Sequence, residues 1–253
     1  MQPQHIRISP KDLAKKVVVV GDPARAKFIA ENFIEDARLV NTTRCFHIYT
    51  GYYRGEPISV AVHGIGAPSA AIVFEELRML GAEVMIRLGT AGGLVPYLEI
   101  GDAVVATGAA YIHGGTIGSY IPDACMVAAP NPLLATKLYE KAKNIHGRVF
   151  LGPVFSSDAF YAESKDFVEK WSKRGIIAVE MEVAALYALA AMRGFDAAAL
   201  LVISDNLAVP GKEELKHHEE LESFVEKAAK AVLETLREFN PNRGEAARVK
   251  TGR

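Results

Sequence analysis

A chain of 253 residues, 50% hydrophobic and 23% charged, has the apolar mass for one large globular core and no compositional break that would divide it. Its 29 Lys and Arg stand against 30 Asp and Glu, which excludes a broad electrostatic surface for nucleic acid or an anionic membrane, and no apolar stretch approaches the roughly 20 residues of a bilayer span. The N-terminus shows no apolar signal core, and Cys45 and Cys125 lie in no CxxC or His-paired spacing, so a cytoplasmic chain is expected, with buried free thiols and neither a metal site nor a disulfide framework.

In chain order, the β-branched run 17–20 closed by Gly21-Asp22-Pro23 predicts a strand and tight turn, followed by a helix over 24–33 with Pro23 near its start. Segments 46–53 and 58–63 alternate as strands across the turn residues Arg54-Gly55-Glu56-Pro57, which predicts a hairpin. After Pro68, Ile72, Val73, Leu77 and Leu80 recur at helical spacing until Gly81 stops them. Strands are predicted at 84–88 and 102–107 around a glycine-rich turn at 89–93, then a helix at 132–144 and a strand at 148–156. Helices near 163–171 and 180–193, an apolar strand at 197–203 and a final helix over about 213–238 complete the pattern. Near-continuous apolar strands suit a sheet covered on both faces. The expected fold is therefore a single α/β domain over 1–240, with a central mixed, largely parallel β-sheet flanked by helices on both sides, and a flexible polar tail at 241–253.

In such sheets ligands collect beyond the carboxyl ends of strands, and those ends carry the reactive residue types. Gly21-Asp22-Pro23-Ala24-Arg25 sets a glycine turn and an arginine at a helix N-terminus, where free N–H groups and the helix dipole favour an anion; a plain turn with a solvated arginine is the other reading. Arg87 interrupts an apolar strand before Gly89-Thr90-Ala91-Gly92-Gly93 and needs an anionic partner, either a phosphate held with the Thr90 hydroxyl or an internal carboxylate. Val179-Glu180-Met181-Glu182 brackets a methionine with two carboxylates. One could grip vicinal hydroxyls while the thioether packs on a sugar; helix capping accounts for one of the pair, not both.

Ser204-Asp205-Asn206 ends the most apolar strand, where burial would make a carboxyl a proton donor or where an Asx turn simply closes the strand. Residues 156–161 bring Phe160 to a strand end, to stack on a planar base or to join the core. His5 lies in a polar segment that fits a solvated histidine, and His63 before Gly64-Ile65-Gly66 is open to a structural role or a ligand role. No phosphate-binding Gly-x-x-x-x-Gly-Lys loop or nucleophile elbow occurs, so ATP hydrolysis and serine hydrolase chemistry have no support.

Taken in order, Gly21-Asp22-Pro23 with Arg25, His63-Gly64-Ile65-Gly66, Arg87-Leu88-Gly89-Thr90-Ala91-Gly92, residues 155–161, Val179-Glu180-Met181-Glu182 and Ser204-Asp205 resemble the hexamer-forming branch of the purine nucleoside phosphorylase and uridine phosphorylase superfamily. The resemblance runs from His5 to the end of the last helix. It implies that Gly21, Arg25, Arg87 and Thr90 bind inorganic phosphate, a co-substrate and not a cofactor, with Arg44 reaching in from a neighbouring subunit. It places Met181 and Glu182 on the ribose, with His5 of a neighbour toward the 5′ position. Phe160, Val179, Glu180 and Ser204 would surround the base, which Asp205 would protonate at N7 while phosphate attacks the anomeric carbon.

Bacterial purine enzymes of the family carry an arginine on the following helix that assists the aspartate, and residues 212–218 contain none. Uridine phosphorylases place glutamine and arginine after the aromatic pair and lack the Ser-Asp, whereas this chain has Glu163, Ser164 and Lys165 there and keeps Asp205. Purine is thus expected over pyrimidine, with uridine phosphorolysis the alternative among enzymes. A hydrolytic nucleosidase would not need Arg25, Arg44 and Arg87 together, and a non-catalytic nucleoside-binding protein has no use for an anion beside the sugar. The chain is especially similar to archaeal members that also accept 5′-methylthioadenosine. Its expected partners are a purine nucleoside, phosphate and copies of itself in a homohexamer with shared sites, and neither nucleic acid nor a membrane.

Overall fold

A computed structural model describes residues 2–216 and 218–241. The tail expected at 241–253 therefore lies, beyond Pro241, outside the described residues. The chain opens with β1 (Lys16–Val20), α1 (Pro23–Phe33), β2 (Glu35–Asn41), β3 (Ile48–Tyr53), β4 (Glu56–Val62) and α2 (Ala67–Met79). It continues through β5 (Val84–Gly93), β6 (Ala103–Ala110), α3 (Thr116–Tyr120), α4 (Pro132–Ile145) and β7 (Val149–Ser156). The last elements are α5 (Lys165–Ser172), β8 (Ala178–Glu180), α6 (Val183–Arg193), β9 (Asp196–Asn206) and α7 (His218–Glu238). Among the described residues, no helix is long and apolar enough to cross a membrane.

The nine strands among the described residues belong to one mixed sheet in the order β2-β3-β4-β1-β5-β8-β7-β6-β9. The pairs β1–β4, β1–β5, β5–β9, β6–β7 and β7–β8 are parallel, and β2–β3, β3–β4, β5–β8 and β6–β9 are antiparallel. Because β5 also pairs with β9, the strands β5, β9, β6, β7 and β8 close on themselves, and β5 is shared between this ring and the open half of the sheet.

Side-chain alternation decides which helix covers which face. Ala197, Ala199, Leu201 and Ile203 of β9 pack with Phe74 and Leu77 of α2 and with Leu186 and Leu189 of α6. The intervening Ala198, Leu200 and Val202 pack with Ile29 of α1, Leu138 of α4 and Val232 of α7. Along β5, Val84, Ile86 and Leu88 join the second set, so Arg87 projects toward the face covered by α2 and α6.

The expected sheet with helices on both faces is present. Four local expectations need correction. Residues 89–93 are not a turn: they extend β5, because β9 supplies a parallel partner for each of them. The helix expected from 180 starts at Val183, since Glu180 ends β8, and the last helix starts at His218 and not near 213. Cys45 and Cys125 are free and exposed, not buried. The strand β2 and the short α3 were not anticipated: β2 reads Glu-Asp-Ala-Arg-Leu-Val-Asn and is exposed along most of its length, so it has no apolar alternation to detect.

The pairing of β2 with β3 depends on Gly51. A Cβ there would lie 2.4 Å from the Glu35 carbonyl oxygen and 2.7 Å from Ile34 Cγ2, inside van der Waals contact with backbone that cannot rotate away. Gly51→Ala is expected to cost about 1–3 kcal/mol by forcing β2 off its neighbour, read as a lower denaturation midpoint with the main cavity unaltered; an unchanged midpoint would show that β2 yields freely.

Candidate active site

A cavity of about 610 Å³ opens where β1, β4, β5, β8 and β9 end, within the size range of small-molecule sites. Its centre is Arg87. Embedded 4% exposed on an apolar strand, its guanidinium needs compensation on every side. Nε donates to Glu180 Oε2 at 3.3 Å, Nη2 donates to Glu182 Oε2, and Nη1 lies 3.1 Å from His63 Nε2. Burial, reinforced by the Arg87 charge, holds His63 well below the usual histidine range. The ring is therefore neutral and its Nε2 is the acceptor for Arg87, which gives His63 a structural role as an orienter.

The two glutamates divide their work. Glu180 accepts from the backbone N–H of Glu182 at 2.7 Å and of Val183 at 2.9 Å, and from the Ser156 hydroxyl, so it satisfies the free donors at the start of α6. Glu182 accepts from Gly66 N–H at 2.6 Å through Oε1 while Oε2 meets Arg87. Burial raises the Glu182 carboxyl, Arg87 opposes the rise, and Glu180 adds to it. Gly89 completes this arrangement, because a Cβ on it would sit 2.7 Å from the Arg87 guanidinium carbon.

Arg25 comes from the first turn of α1, whose N-cap Asp22 accepts from Ala24 N–H at 2.8 Å. Its Nη1 donates to Leu88 O at 3.4 Å, and its buried Nε has no hydrogen-bond partner among the described residues. Burial pulls Arg25 down to about 10, with Asp22 opposing and Arg87 assisting, so it stays charged at neutral pH. Two buried guanidiniums, one with an orphaned donor, face a cavity also lined by Gly21 and Thr90; together they call for an anion.

The cavity is also lined by Phe160, Val179, Met181, Ser204 and Asp205. The Ser204 hydroxyl donates to Asp205 Oδ1 at 2.7 Å, and burial raises the Asp205 carboxyl against that hydrogen bond. Phe160 is half-exposed and meets Tyr161 edge-on at 5.2 Å, so it is a wall of the cavity and not core. Segment 207–216 folds back on this end: Lys216 N–H donates to Ser204 O at 3.0 Å, and Leu215 lines the cavity. Lys216 Nζ pairs with Glu220 at 3.0 Å; His217 lies outside the described residues. Among the described residues, no group of His, Cys, Asp and Glu is arranged to hold a metal ion.

Eleven of the thirteen candidate residues thus line one cavity: Gly21, Arg25, Arg87, Thr90, Phe160, Val179, Glu180, Met181, Glu182, Ser204 and Asp205. Arg44 and His5 do not. Arg44 is exposed with φ of 54°, and His5 is tied to Glu76, with Nδ1 2.7 Å from Oε1. The cavity also includes Glu163, which sequence reasoning treated only as a departure from a pyrimidine motif. Its burial and the hydroxyl of Ser157 beside it depend on the fold of the whole loop, which no local pattern announces.

Comparison with known families places this geometry. A family model described as the phosphorylase superfamily matches residues 15–240. The chain belongs to the phosphorylase superfamily. Among its members, the chain is 40% identical to a DeoD-type purine nucleoside phosphorylase of Streptococcus thermophilus over 233 residues, covering 92% of this chain and 98% of that one. It is 39% identical to a DeoD-type purine nucleoside phosphorylase of Caldanaerobacter subterraneus, over 80% of this chain and 88% of that one. It is 35% identical to a guanosine phosphorylase of Halorubrum lacusprofundi, over 92% of this chain and 95% of that one.

In this superfamily member the Arg87 network also holds the fold together. Arg87→Met fills similar volume but leaves Glu180 and Glu182 without their cation, and is expected to cost roughly 3–5 kcal/mol at pH 8. Arg87 opposes the rise that burial gives the Glu182 carboxyl, so without it Glu182 rises further and the folded variant keeps a proton that both the folded parent and the unfolded chain release; the deficit therefore grows as pH rises through that window and shrinks as pH falls below it. Denaturant titrations at pH 8 and pH 5.5 measure this; an equal deficit at both would locate the loss in packing alone.

Proposed function

We propose that the chain is a purine nucleoside phosphorylase. The observation that carries this reading is the conjunction, in one cavity, of two buried guanidiniums with an orphaned donor and a separate buried Ser204-Asp205 pair whose carboxyl is raised. Phosphate held by Arg25, Arg87, Thr90 and the Gly21 turn attacks the anomeric carbon, the bond to the base nitrogen breaks with its electron pair passing to the base, and Asp205 delivers a proton to N7. The products are the free purine and ribose 1-phosphate. Glu182 and Met181 hold the ribose, and Phe160, Val179 and Ser204 bound the base. Glu180 borders the same space while capping α6. The names of the relatives, purine nucleoside phosphorylase and guanosine phosphorylase, support a purine base.

The reading requires inorganic phosphate as co-substrate and no resident cofactor. It includes a homohexamer in which Arg44 and His5 complete a neighbour's site, in keeping with the exposure of Arg44 and the place of both residues outside their own chain's cavity. It also includes a cytoplasmic location, in keeping with two exposed free thiols.

Release of free base from inosine, adenosine, guanosine and uridine, followed with and without phosphate, tests the reaction: purine release that requires phosphate is expected, and phosphate-independent release would convert the assignment to a hydrolase. Asp205→Asn keeps the size of the side chain and removes its transferable proton. Inosine cleavage is expected to fall roughly 10²-fold in kcat with little change in KM, while 7-methylguanosine, whose base already carries a positive charge, loses far less. Equal losses on both substrates would make Asp205 a positioning residue.

A further inference from the structure

Outside the cavity, a buried carboxyl on α2 gathers an unusual number of donors. Glu76 is 6% exposed and accepts from the backbone N–H of Gln4 at 2.9 Å, of His5 at 3.0 Å and of Ile6 at 2.7 Å, while the His5 ring meets it through Nδ1 at 2.7 Å. Ile6 is buried in the same core cluster as Phe74 and Leu77 of α2. The N-terminal segment is thereby pinned to α2 at three successive residues. It is tied as well to the loop that carries Arg44: Arg7 N–H donates to Asn41 Oδ1 at 3.0 Å, and Asn41 Nδ2 donates to Phe46 O at 2.6 Å, directly after the turn of residues 43–45. His5 and Arg44, the two candidate residues outside their own chain's cavity, therefore sit on segments fastened to one another.

The same donors decide the state of the carboxyl. Burial acts to raise Glu76, but the Gln4 N–H, the His5 ring and the N–H groups of Ile6 and His5 oppose it and together hold it below its ordinary value of 4.5. An ionised carboxylate only accepts, so the His5 nitrogen beside it carries a proton. In the neutral ring the lone pair is then left on Nε2. The His5 side chain stays 30% exposed, open to a second partner.

Given the shared site proposed above, we propose that Glu76 is a positioning residue for the neighbouring subunit's reaction: it fixes His5 as the Nδ1–H tautomer, so that Nε2 accepts a hydrogen bond from the 5′-hydroxyl of the nucleoside bound there. The consequence is selectivity at the 5′ position. A hydroxyl can donate to the Nε2 lone pair, whereas a 5′-thioether has no proton to give and meets only a second acceptor. Backbone N–H groups hold both carboxylate oxygens in place, so the ring they orient has one tautomer to offer and not two.

The test is the ratio of kcat/KM for adenosine to that for 5′-methylthioadenosine, two substrates with the same base, in which any effect at Asp205 cancels. Glu76→Gln keeps the length of the side chain but offers Nδ1 an amide donor, which favours the other tautomer. The ratio is expected to fall on the order of fivefold in this variant, the worth of one hydrogen bond, and not to respond to Glu76→Gln when His5 is already alanine. An unchanged ratio in the folded variant, or a fall that persists in the His5→Ala background, would overturn the proposal. Nitrogen-15 spectra of histidine-labelled protein at pH 8.5, with the His5 signals identified by their absence in His5→Ala, read the tautomer without turnover. Nδ1–H is expected in the unaltered protein and Nε2–H in Glu76→Gln; Nε2–H in the unaltered protein overturns the proposal whether or not the variant folds. If phosphate-dependent purine release is absent but the tautomer is Nδ1–H and switches in Glu76→Gln, the phosphorylase reading fails and the hold of Glu76 on His5 stands; cleavage with His5 in the Nε2–H form does the reverse.

Discussion

A guanidinium placed in the middle of an apolar strand sets the terms for everything around it. Bringing Arg87 out of water costs several kcal/mol unless charge and hydrogen bonds meet it in good geometry, and the fold supplies them from three directions. His63 follows β4, Glu180 ends β8, and Glu182 precedes α6. Each partner is itself held: Glu180 by Ser156 and the first N–H groups of α6, Glu182 by Gly66, and His63 by burial that keeps its ring neutral. Charge at one residue has therefore fixed the relative placement of four segments far apart in the chain. The cavity takes its shape from that placement.

The strand topology makes the convergence possible. β5 belongs to both halves of the sheet, with β1 and β8 along one side and β9 along the other. The turn after β1, the loop after β4 and the ends of β8 and β9 consequently open on the same space. Parallel pairing of β1 with β4 and β5, and of β5 with β9, points their carboxyl ends together, which is the general reason such sheets bind ligands there. Helices on both faces bury the strands, leaving the strand ends as the place where polar side chains can gather around a ligand.

What could be read from the sequence follows this division. Arg87 stands out because an apolar strand states its own pattern and a guanidinium breaks it; of the two open readings the structure shows the internal carboxylate partners, and the residue also lines the cavity. The two glutamates were separable into a capping residue and a second role for the same reason, and the structure gives the capping to Glu180. The end of β9 was visible in its run of apolar residues. Residues 89–93 were misread because glycine-rich runs carry little strand propensity of their own, and it is β9 that makes them a strand. β2 was hidden by its exposed, charged composition, and Glu163 by lying in a loop whose burial is decided by partners elsewhere in the chain. Local periodicity sees what a segment does to itself; it does not see a position that only long-range packing creates.

Of the five buried or half-buried carboxyls of the cavity, Asp22 caps α1, and the other four separate by what each one faces. Glu180 and Glu182 face a guanidinium, and their acceptor oxygens are further occupied by backbone N–H groups; burial raises Glu182 and the Arg87 charge opposes that rise. Asp205 and Glu163 face hydroxyls, Ser204 and Ser157, and among the described residues no cation opposes the rise that burial gives them. One cavity thereby holds buried positive charge and, at other positions, carboxyls that burial raises with no guanidinium among their described neighbours. A nucleophile and an acid of matched strength would quench each other if they shared one environment. Under the proposed reaction, the type of neighbour given to each carboxyl is what keeps the two apart in a site made of a few strand ends.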